Sequence, residues 1–436
     1  MNFYKTISQT TISTAVTVLV GLVITKITST FIGPKGTFFN GQFSSYQSLL
    51  ILIGTGFLAN GLVRQVSEYK ENPEKVKEIV RTAMSSSLIL GAIVVLITVM
   101  CYNFIGDKVM NVSEYNYLFI VQALMLIFAS YNYHFQLTLN SLQKIKKYAI
   151  ANIVVSCLSL VTILALIFSY KIHGILMAML FTQFFMFIFY LFFLKNEAWF
   201  TRDLFYLKVN KEILKLMIAF IPSMLILMVN PYNLMAIRSG LEQKFNPETA
   251  GIWTAMMGLS ERYMSFLMSF IGIYYVPKLI ELKSDQYMFI REVRKGFKRL
   301  IPLVIIFSFL IWLCRDLIIL IILTPEFKPM EPLFLFQTIG DVFKVLAYFM
   351  AITLFVKDKL YKYIALILIF EISLFFSIPY FSDRFGIIGA TYGYAFSTII
   401  YFLVAMVFLW ETIIEVKKSV LPNSLKSDLG KLIKKS

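Results

Sequence analysis

Apolar runs of about 20 residues recur along the whole chain, and this repetition constrains the fold more than any other feature. A run of that length crosses the hydrocarbon core of a bilayer as an α-helix. Only 15% of the 436 residues are charged, against roughly a quarter in a soluble domain. Because backbone groups in lipid must bond within their own segment, we expect an all-α polytopic membrane protein of about twelve transmembrane helices.

The segments between the predicted spans are too short to hold a soluble domain. The spans are predicted at residues 10–31, 39–63, 76–102, 115–139, 148–170, 174–194, 213–235, 249–276, 300–323, 333–356, 361–380 and 387–410. A polar stretch divides them six and six. The predicted parts are an N-terminal six-helix lobe at 1–198, a cytoplasmic linker at 199–211, a C-terminal six-helix lobe at 212–413 and a basic cytoplasmic tail at 414–436.

The two halves look weakly alike at an offset near 212. Residues 173–178, which open the sixth span, match 385–390 at the twelfth, and 147–148 match 362–363. Six spans per half give both halves the same orientation, so the repeat is expected to be parallel. Two such bundles facing each other frame a central cavity, the usual arrangement for alternating access.

The basic residues are distributed unequally between the two sets of loops. One set, which includes both termini, holds 30 of the 41 lysines and arginines, and the other holds eight, Arg238 among them. The positive-inside rule then puts both termini in the cytoplasm. The net charge of +16 is explained by this topology, so we expect no nucleic-acid partner. The three cysteines lack metal or disulfide spacing, and we expect no metal and no cofactor.

Six ionisable residues lie well inside predicted spans, where each costs at least about 2.5–3.5 kcal/mol if it faces lipid. They are Lys26, Glu261, Arg262, Asp341, Lys344 and Glu371. We therefore expect them to face protein or water. Arg262 lies on a span with one small and polar face, and its guanidinium is a fixed cation suited to phosphate. The alternative is a structural pair with a carboxylate on another helix, such as Glu371.

Asp341 and Lys344 are three residues apart, so they share a helix face and can pair. Such a pair either neutralises two buried charges or takes part in proton coupling or conformational switching. Lys26 lies toward the periplasmic end of the first span, where it can line the cavity or reach the interface with its flexible stem. Arg64 ends the second span on the cytoplasmic side, where alone it is an ordinary positive-inside residue.

Two further groups are cavity candidates. Tyr133, Gln136 and Asn140 lie on one face of the fourth span, which suits a sugar and equally suits hydrogen bonds between helices. Pro222 and Pro231 lie in the seventh span, where a proline frees a backbone carbonyl and bends the helix. Broken helices often line transport pathways, although a simple packing kink is the alternative.

Five stretches together resemble a known family along nearly the whole chain. They are Lys26 with 31–36, 60–61 with 68–69, 251–253, 313–316, and the Gly-Asp-x-x-Lys motif of 340–345. The order and spacing are similar to those of the Wzx-type polysaccharide-lipid flippases of Gram-negative bacteria, especially the branch of the enterobacterial common antigen, which flips lipid III. The wider superfamily contains multidrug and toxin extruders.

The resemblance implies a flippase that moves an undecaprenyl-pyrophosphate-linked oligosaccharide from the cytoplasmic to the periplasmic leaflet. It implies Lys26, Arg64 and Arg262 as pyrophosphate contacts, with Arg262 resting on looser analogy. Asp341 and Lys344 match the family motif. The polysaccharide polymerase and the chain-length regulator are further partners to expect.

Two alternatives remain open. A multidrug or metabolite exporter of the same superfamily is the first, although acids and bases within the spans balance at three each, whereas an exporter of cationic drugs needs acidic residues. A membrane O-antigen polymerase or glycosyltransferase is the second, although it needs a larger periplasmic loop. The sequence holds no phosphate loop, no His-Glu-x-x-His and no serine elbow, so we expect no enzyme.

Overall fold

The computed structural model describes the backbone of residues 3–420 and the side chains of residues 13–221 and 225–414. Within these bounds the chain is helical and forms no β-strand. The helices are α1 (Phe3–Gly54), α2 (Ala59–Glu68), α3 (Pro73–Met110), α4 (Tyr117–Ser141), α5 (Ile145–Phe193), α6 (Lys211–Ile218), α7 (Ile221–Lys244), α8 (Pro247–Phe270), α9 (Val276–Glu281), α10 (Gln286–Leu313), α11 (Arg315–Ile322), α12 (Leu333–Val356), α13 (Leu360–Phe385) and α14 (Ile387–Val420).

Among the described residues, nine helices are long and apolar enough to cross a membrane. Two of them, Ser13–Gly54 and Ile145–Phe193, have 42 and 49 residues, about twice what one crossing needs. Each is interrupted by one residue with a positive φ, Gly33 at 58° and Lys171 at 47°. Dividing both helices there, and adding the 24 residues of α7, gives twelve crossings. The prediction of an all-α polytopic membrane protein is confirmed.

Several spans are less regular than predicted. The second span is divided where α1 ends and α2 begins, and the seventh where α6 ends and α7 begins. Pro222 falls in the first turn of α7, a position where the missing N–H costs nothing. Pro231 lies inside α7, which runs on through it, so the break predicted at that residue is absent because membrane helices re-satisfy the freed carbonyl locally. A π-helical turn at Ile271–Tyr275 separates α8 from α9.

The internal repeat is present in the backbone at an offset of 215. The helices α5 and α13 start at Ile145 and Leu360. The residues before them share the same caps: Leu142 N–H and Lys357 N–H each donate to a threonine carbonyl one turn back. The offset of 212 predicted from residues 174 and 386 is wrong by three residues, since the short turns align at Lys171 and Gly386.

The paired turns fold the chain back tightly. A Cβ atom on Gly174 would lie 2.3 Å from the Leu166 carbonyl oxygen, and one on Gly389 would lie 2.1 Å from that of Phe381. Residues eight apart in a straight helix are about 12 Å apart along its axis. The chain therefore reverses at Lys171 and at Gly386, and glycine is required at both close approaches.

Two compact units can be distinguished. Unit 1 contains Met1–Leu259 and Asp316–Glu331, and unit 2 contains Ser260–Arg315 and Pro332–Ser436. Unit 1 includes α7 because α7 packs against α1. The lobes predicted at 1–198 and 212–413 follow the sequence repeat and stay a prediction, as does the linker between them. Residues 421–436 of the predicted basic tail lie outside the described residues.

The interior of unit 1 is built from the ends of α2, α3, α4 and α5. Leu62, Ile79 and Phe135 are fully buried there, and Tyr190 is nearly so. Stacks of aromatic rings, such as Phe135 with Tyr190 at 5.5 Å between centroids, fill the space between the helices. Such packing fixes the helix ends on which several candidate side chains lie.

Candidate functional site

A buried carboxylate occupies the middle of α12. Asp341 is 1% exposed, and its neighbour Gly340 decides what can reach it. A Cβ on Gly340 would lie 2.6 Å from the ring of Tyr394, so the absence of a side chain lets α14 come close. The hydroxyl of Tyr394 then donates to Asp341 Oδ1 at 2.7 Å. The Gly-Asp sequence thus supplies the carboxylate of Asp341 and, at Gly340, the space that Tyr394 needs to reach it.

Helix α8 supplies two more donors to the same carboxylate. Ser260 Oγ donates to Asp341 Oδ1 at 2.7 Å, and the Tyr263 hydroxyl donates to Oδ2. Ser260 and Tyr263 are three residues apart and therefore share a face of α8. Three hydroxyl donors offset the cost of burying a carboxylate. All three were missed by the sequence analysis, because a hydroxyl within an apolar span has little effect on hydropathy.

Lys344 lies one turn further along α12 and faces aromatic rings. Its Nζ is 5.5 Å from the centroid of Phe370 and 5.6 Å from that of Tyr394, within the range of a cation–π contact. The ammonium also attracts Asp341 electrostatically. Tyr394 therefore contacts both members of the predicted pair, with its hydroxyl at the carboxylate and its ring at the ammonium. The structure brings Asp341 and Lys344 into one polar cluster.

Three other ionisable residues predicted inside spans belong to unit 2, namely Glu261, Arg262 and Glu371. Arg262 is half-buried and Glu261 is exposed, and the two interact electrostatically. On α8 both lie on different faces from Ser260 and Tyr263. Glu371 on α13 is 3% exposed. The structure therefore separates Arg262 from the helix face that contacts Asp341.

The two predicted cations of unit 1 have local partners. Lys26 on α1 donates from Nζ to the carbonyl oxygen of Leu320 at 3.0 Å and to that of Leu323. These carbonyls end α11, where a cation is favoured by the helix dipole. Arg64 on α2 is exposed, and its guanidinium carbon lies 5.3 Å from the ring centroid of Phe220.

The polar residues of α4 make bonds between helices. Gln136 donates to Asn152 Oδ1 at 2.6 Å, which joins α4 to α5. Asn132 on the same helix donates to Gln183 Oε1 at 3.1 Å. Tyr133 is half-buried and Asn140 is exposed. Of the two interpretations left open for this face, the observed bonds favour the structural one for Gln136.

A buried arginine was placed wrongly by the sequence analysis. Arg238 was assigned to a loop, but α7 continues to Lys244 and the side chain is only 7% exposed. Its Nη1 donates to the Gly41 carbonyl at 3.0 Å and to Ser45 Oγ at 2.7 Å. The prediction failed because hydropathy ends the span before a charged residue. In the structure the guanidinium is hydrogen-bonded, so Arg238 can lie inside the helix.

The described residues hold no group of three histidine, cysteine, aspartate or glutamate side chains that could bind a metal ion. The three cysteines are free and exposed. What the site offers chemically is one carboxylate that can bind a proton, held by three hydroxyls, with the side chain of Lys344 one turn away.

Solved structures of multidrug transporters share this fold along nearly the whole chain. An inward-facing multidrug resistance MATE family transporter of the MOP superfamily gives a TM-score of 0.76 at 14% identity, covering 94% of this chain and 96% of that one. The outward-facing conformation of such a transporter gives 0.66 at 15% identity, covering 96% and 97%. The chain thus has the fold of these transporters and is a multi-pass membrane protein.

Sequence relatives are more specific. The lipid III flippases of Escherichia coli (strain K12) and Shigella flexneri are each 27% identical to this chain over 415 residues, which cover 92% of this chain and 97% of the relative. A family of polysaccharide biosynthesis proteins matches residues 45–332, more than half of the chain. The chain belongs to that polysaccharide biosynthesis protein family, and the resemblance inferred from the sequence motifs is confirmed.

Proposed function

We propose that this protein is a flippase for a polyprenyl-diphosphate-linked oligosaccharide, with lipid III as the model cargo. The observation that carries the proposal is the match to lipid III flippases over 97% of their length. The MATE fold supports alternating access as the mechanism. The cargo moves from the cytoplasmic to the periplasmic leaflet of the bacterial inner membrane, with both termini of the protein in the cytoplasm.

The protein lowers the barrier that the cargo's charges meet in lipid. A diphosphate cannot leave water without compensation, so fixed cations in a hydrated path are needed. We assign Arg64 and Arg262 as the main diphosphate contacts, since a guanidinium can bind phosphate with two parallel bonds. Lys26 has two of its three donors engaged by the carbonyls of Leu320 and Leu323 at the end of α11, so it contributes at most its third donor and its charge.

The Asp341 cluster supplies the coupling step. Protonation of the carboxylate would remove its attraction for Lys344 and turn one acceptor oxygen into a donor, so two arrangements of Ser260, Tyr263 and Tyr394 become available. A change of charge in a buried network of this kind can bias a conformational equilibrium. The protein needs no cofactor and catalyses no covalent chemistry in this scheme. The polysaccharide polymerase and the chain-length regulator would act after it.

Complementation tests the proposal directly. The chain, expressed in an Escherichia coli strain without its lipid III flippase, should restore the surface glycan made from lipid III. Arg262→Ala should abolish that glycan at normal protein abundance, and Arg262→Lys should restore part of it because lysine keeps the charge and loses the bidentate geometry.

Failure of the wild-type chain to restore the glycan, together with efflux of a cationic dye, would overturn the flippase proposal in favour of the exporter. Normal glycan with Arg262→Ala would remove Arg262 from the mechanism. Loss of folded Arg262→Ala protein would assign that residue to a structural pair.

A further inference from the structure

Unit 2 carries an apolar groove away from the Asp341 cluster. The groove has a volume of about 250 Å³ and is lined by Phe297 of α10, Met350 of α12 and five residues of α14, among them Phe402, Met406 and Trp410. All of its lining residues are apolar. Pockets that enclose a whole small molecule are larger, about 300–1,000 Å³, so this groove fits a portion of an apolar chain.

The walls of the groove combine fixed rings with adaptable side chains. Phe297 packs against Phe349 with centroids 5.1 Å apart, and Phe402 packs against Phe343 at 5.3 Å, which holds both rings in place. Met406 is 48% exposed, and a thioether side chain adapts to an irregular partner. Such a surface suits a chain that bears methyl branches.

The helix that contributes Phe297 to the groove also carries two exposed cations. Arg294 and Lys298 of α10 are exposed and lie one turn apart on one face, on either side of Phe297 in sequence. Among the ion pairs of the described residues, none includes Arg294 or Lys298. Arg299 on the same helix is engaged differently, with the hydroxyl of Tyr274. Arg294 and Lys298 therefore remain available to an anion next to an apolar chain.

We infer that the groove and this cationic pair form an entry site for the cargo lipid, in which the diphosphate binds Arg294 and Lys298 and the first isoprene units lie in the groove. The inference rests on the proposed function and names a subsite for it. The groove lies near the ends of α12 and α14 that the predicted topology puts at the cytoplasmic surface, the leaflet in which the cargo is made.

An isoprenoid diphosphate fits these groups better than a bilayer phospholipid does. Cations one turn apart are separated by about 6 Å along the helix, so each can take one of two linked phosphates. A phosphodiester headgroup offers one phosphate to the same two cations. The two cations and the apolar groove therefore favour a lipid with a diphosphate head and a branched tail.

Binding of undecaprenyl diphosphate to the purified full-length protein tests the inference, measured by native mass spectrometry. Met406→Trp fills the groove, and Arg294→Gln with Lys298→Gln removes the cations. Each should weaken binding about tenfold, a loss that matches about 1.4 kcal/mol. The matched controls are Met100→Trp, at a residue of α3 that is 76% exposed, and Lys295→Gln, on the side of α10 away from Phe297. Both should bind as the wild type does.

Wild-type affinity in Met406→Trp would show that the groove does not bind the isoprenoid chain. If phosphatidylglycerol competes as well as undecaprenyl diphosphate does, the site is an ordinary lipid site and the inference is wrong. Thermal unfolding checks that each variant is folded, and Trp410→Ala, which removes a wall of the groove, replaces Met406→Trp if that variant unfolds. If wild-type protein restores the surface glycan and the variants bind normally, only this inference fails. If the wild type neither binds the probe nor restores the glycan, the proposed function fails.

Discussion

The two copies of the repeat share a backbone and differ in where they bury polar groups. Asp341 and Lys344 of α12 correspond, 215 residues earlier, to Leu126 and Ala129 of α4, and both of these are buried apolar residues. The same helix in the same hairpin arrangement thus folds without any charge at these positions. A charged pair at these positions is therefore not a requirement of the repeated helix arrangement.

Nearer the ends of the same two helices, α4 carries the polar residues and α12 the apolar ones. Gln136 and Asn132 of α4 bond to α5, whereas their counterparts in α12 are Ala351 and Ala347, both buried. In unit 1 the two helices are joined by neutral amides, which cost little to bury once they are paired. In unit 2, α12 instead carries the ionisable Asp341 cluster. Neutral groups suit a rigid structure, and ionisable groups suit a switch.

The largest expected effect comes from giving unit 2 the residues of unit 1. Asp341→Leu leaves three hydroxyls without their acceptor and half-buried Lys344 without its carboxylate. The free energy of unfolding should fall by about 1–3 kcal/mol for each buried hydroxyl left unsatisfied, and glycan transport should be lost. Asp341→Leu with Lys344→Ala should recover only the part of the stability that the unpaired ammonium cost, and none of the transport. Protein abundance in membranes, thermal unfolding and surface glycan measure these outcomes.

The reverse change, Leu126→Asp, is the control and should destabilise unit 1, since it buries an unpaired charge. Full glycan transport in the double variant would show that the charges are dispensable and that the difference between the two copies has no functional meaning.

A smaller effect tests whether the two hairpin turns are equivalent. Gly174→Ala and Gly389→Ala each place a methyl group against a backbone carbonyl, so each should lower stability by roughly 1–3 kcal/mol. Gly91→Ala in α3 is the control, because a Cβ there has no neighbour within 4 Å. It should be neutral or slightly stabilising. A large loss in only one of the two turns would show that the repeat does not extend to their packing.

The smallest effect is expected at two ion pairs near the ends of the repeated hairpins, one in each unit. Glu197 receives hydrogen bonds from Lys144 and Lys147, while Lys362 donates to Glu411, whose side chain is 52% exposed, at 2.9 Å. Glu197→Gln should cost more stability than Glu411→Gln, since exposed pairs contribute about 0–1 kcal/mol.

The pH dependence follows from Glu197. Burial alone raises the pKa of its carboxyl, but the hydrogen bonds from Lys144 and Lys147 outweigh burial and hold the pKa below its ordinary value of 4.5. A depressed pKa adds stability above the unfolded-state pKa, and that stability is lost as the pH falls through the folded-state value. The gap in unfolding temperature between wild type and Glu197→Gln should therefore be full at neutral pH and shrink as the pH falls below the ordinary carboxyl pKa of 4.5. A gap independent of pH would assign the effect to packing.

The sequence predicted those features that depend on the hydropathy or charge of single residues. Apolar length located the spans, and the cost of a charge in lipid identified Asp341 and Lys344. It could not locate Tyr394, Ser260 and Tyr263, since these come from other helices and only the close approach at Gly340 brings Tyr394 into reach. Lys26 was predicted to be a cation inside a span, but its partners at the end of α11 lie almost 300 residues away and depend on tertiary packing. The roles of Arg64 and Arg262 stay predictions.

The reversals at Lys171 and Gly386 have a consequence for biogenesis. Each leaves almost no polypeptide between two spans, so the second span of each hairpin has to enter the bilayer together with the first. Within the pair, Thr162 and Thr182 share a hydrogen bond at 2.8 Å, and Ser373 and Ser397 share one at 3.2 Å. Hydroxyls that are satisfied inside the hairpin lower the cost of partitioning into lipid. During synthesis each hairpin is therefore a single unit of insertion, added after the other spans of its predicted lobe.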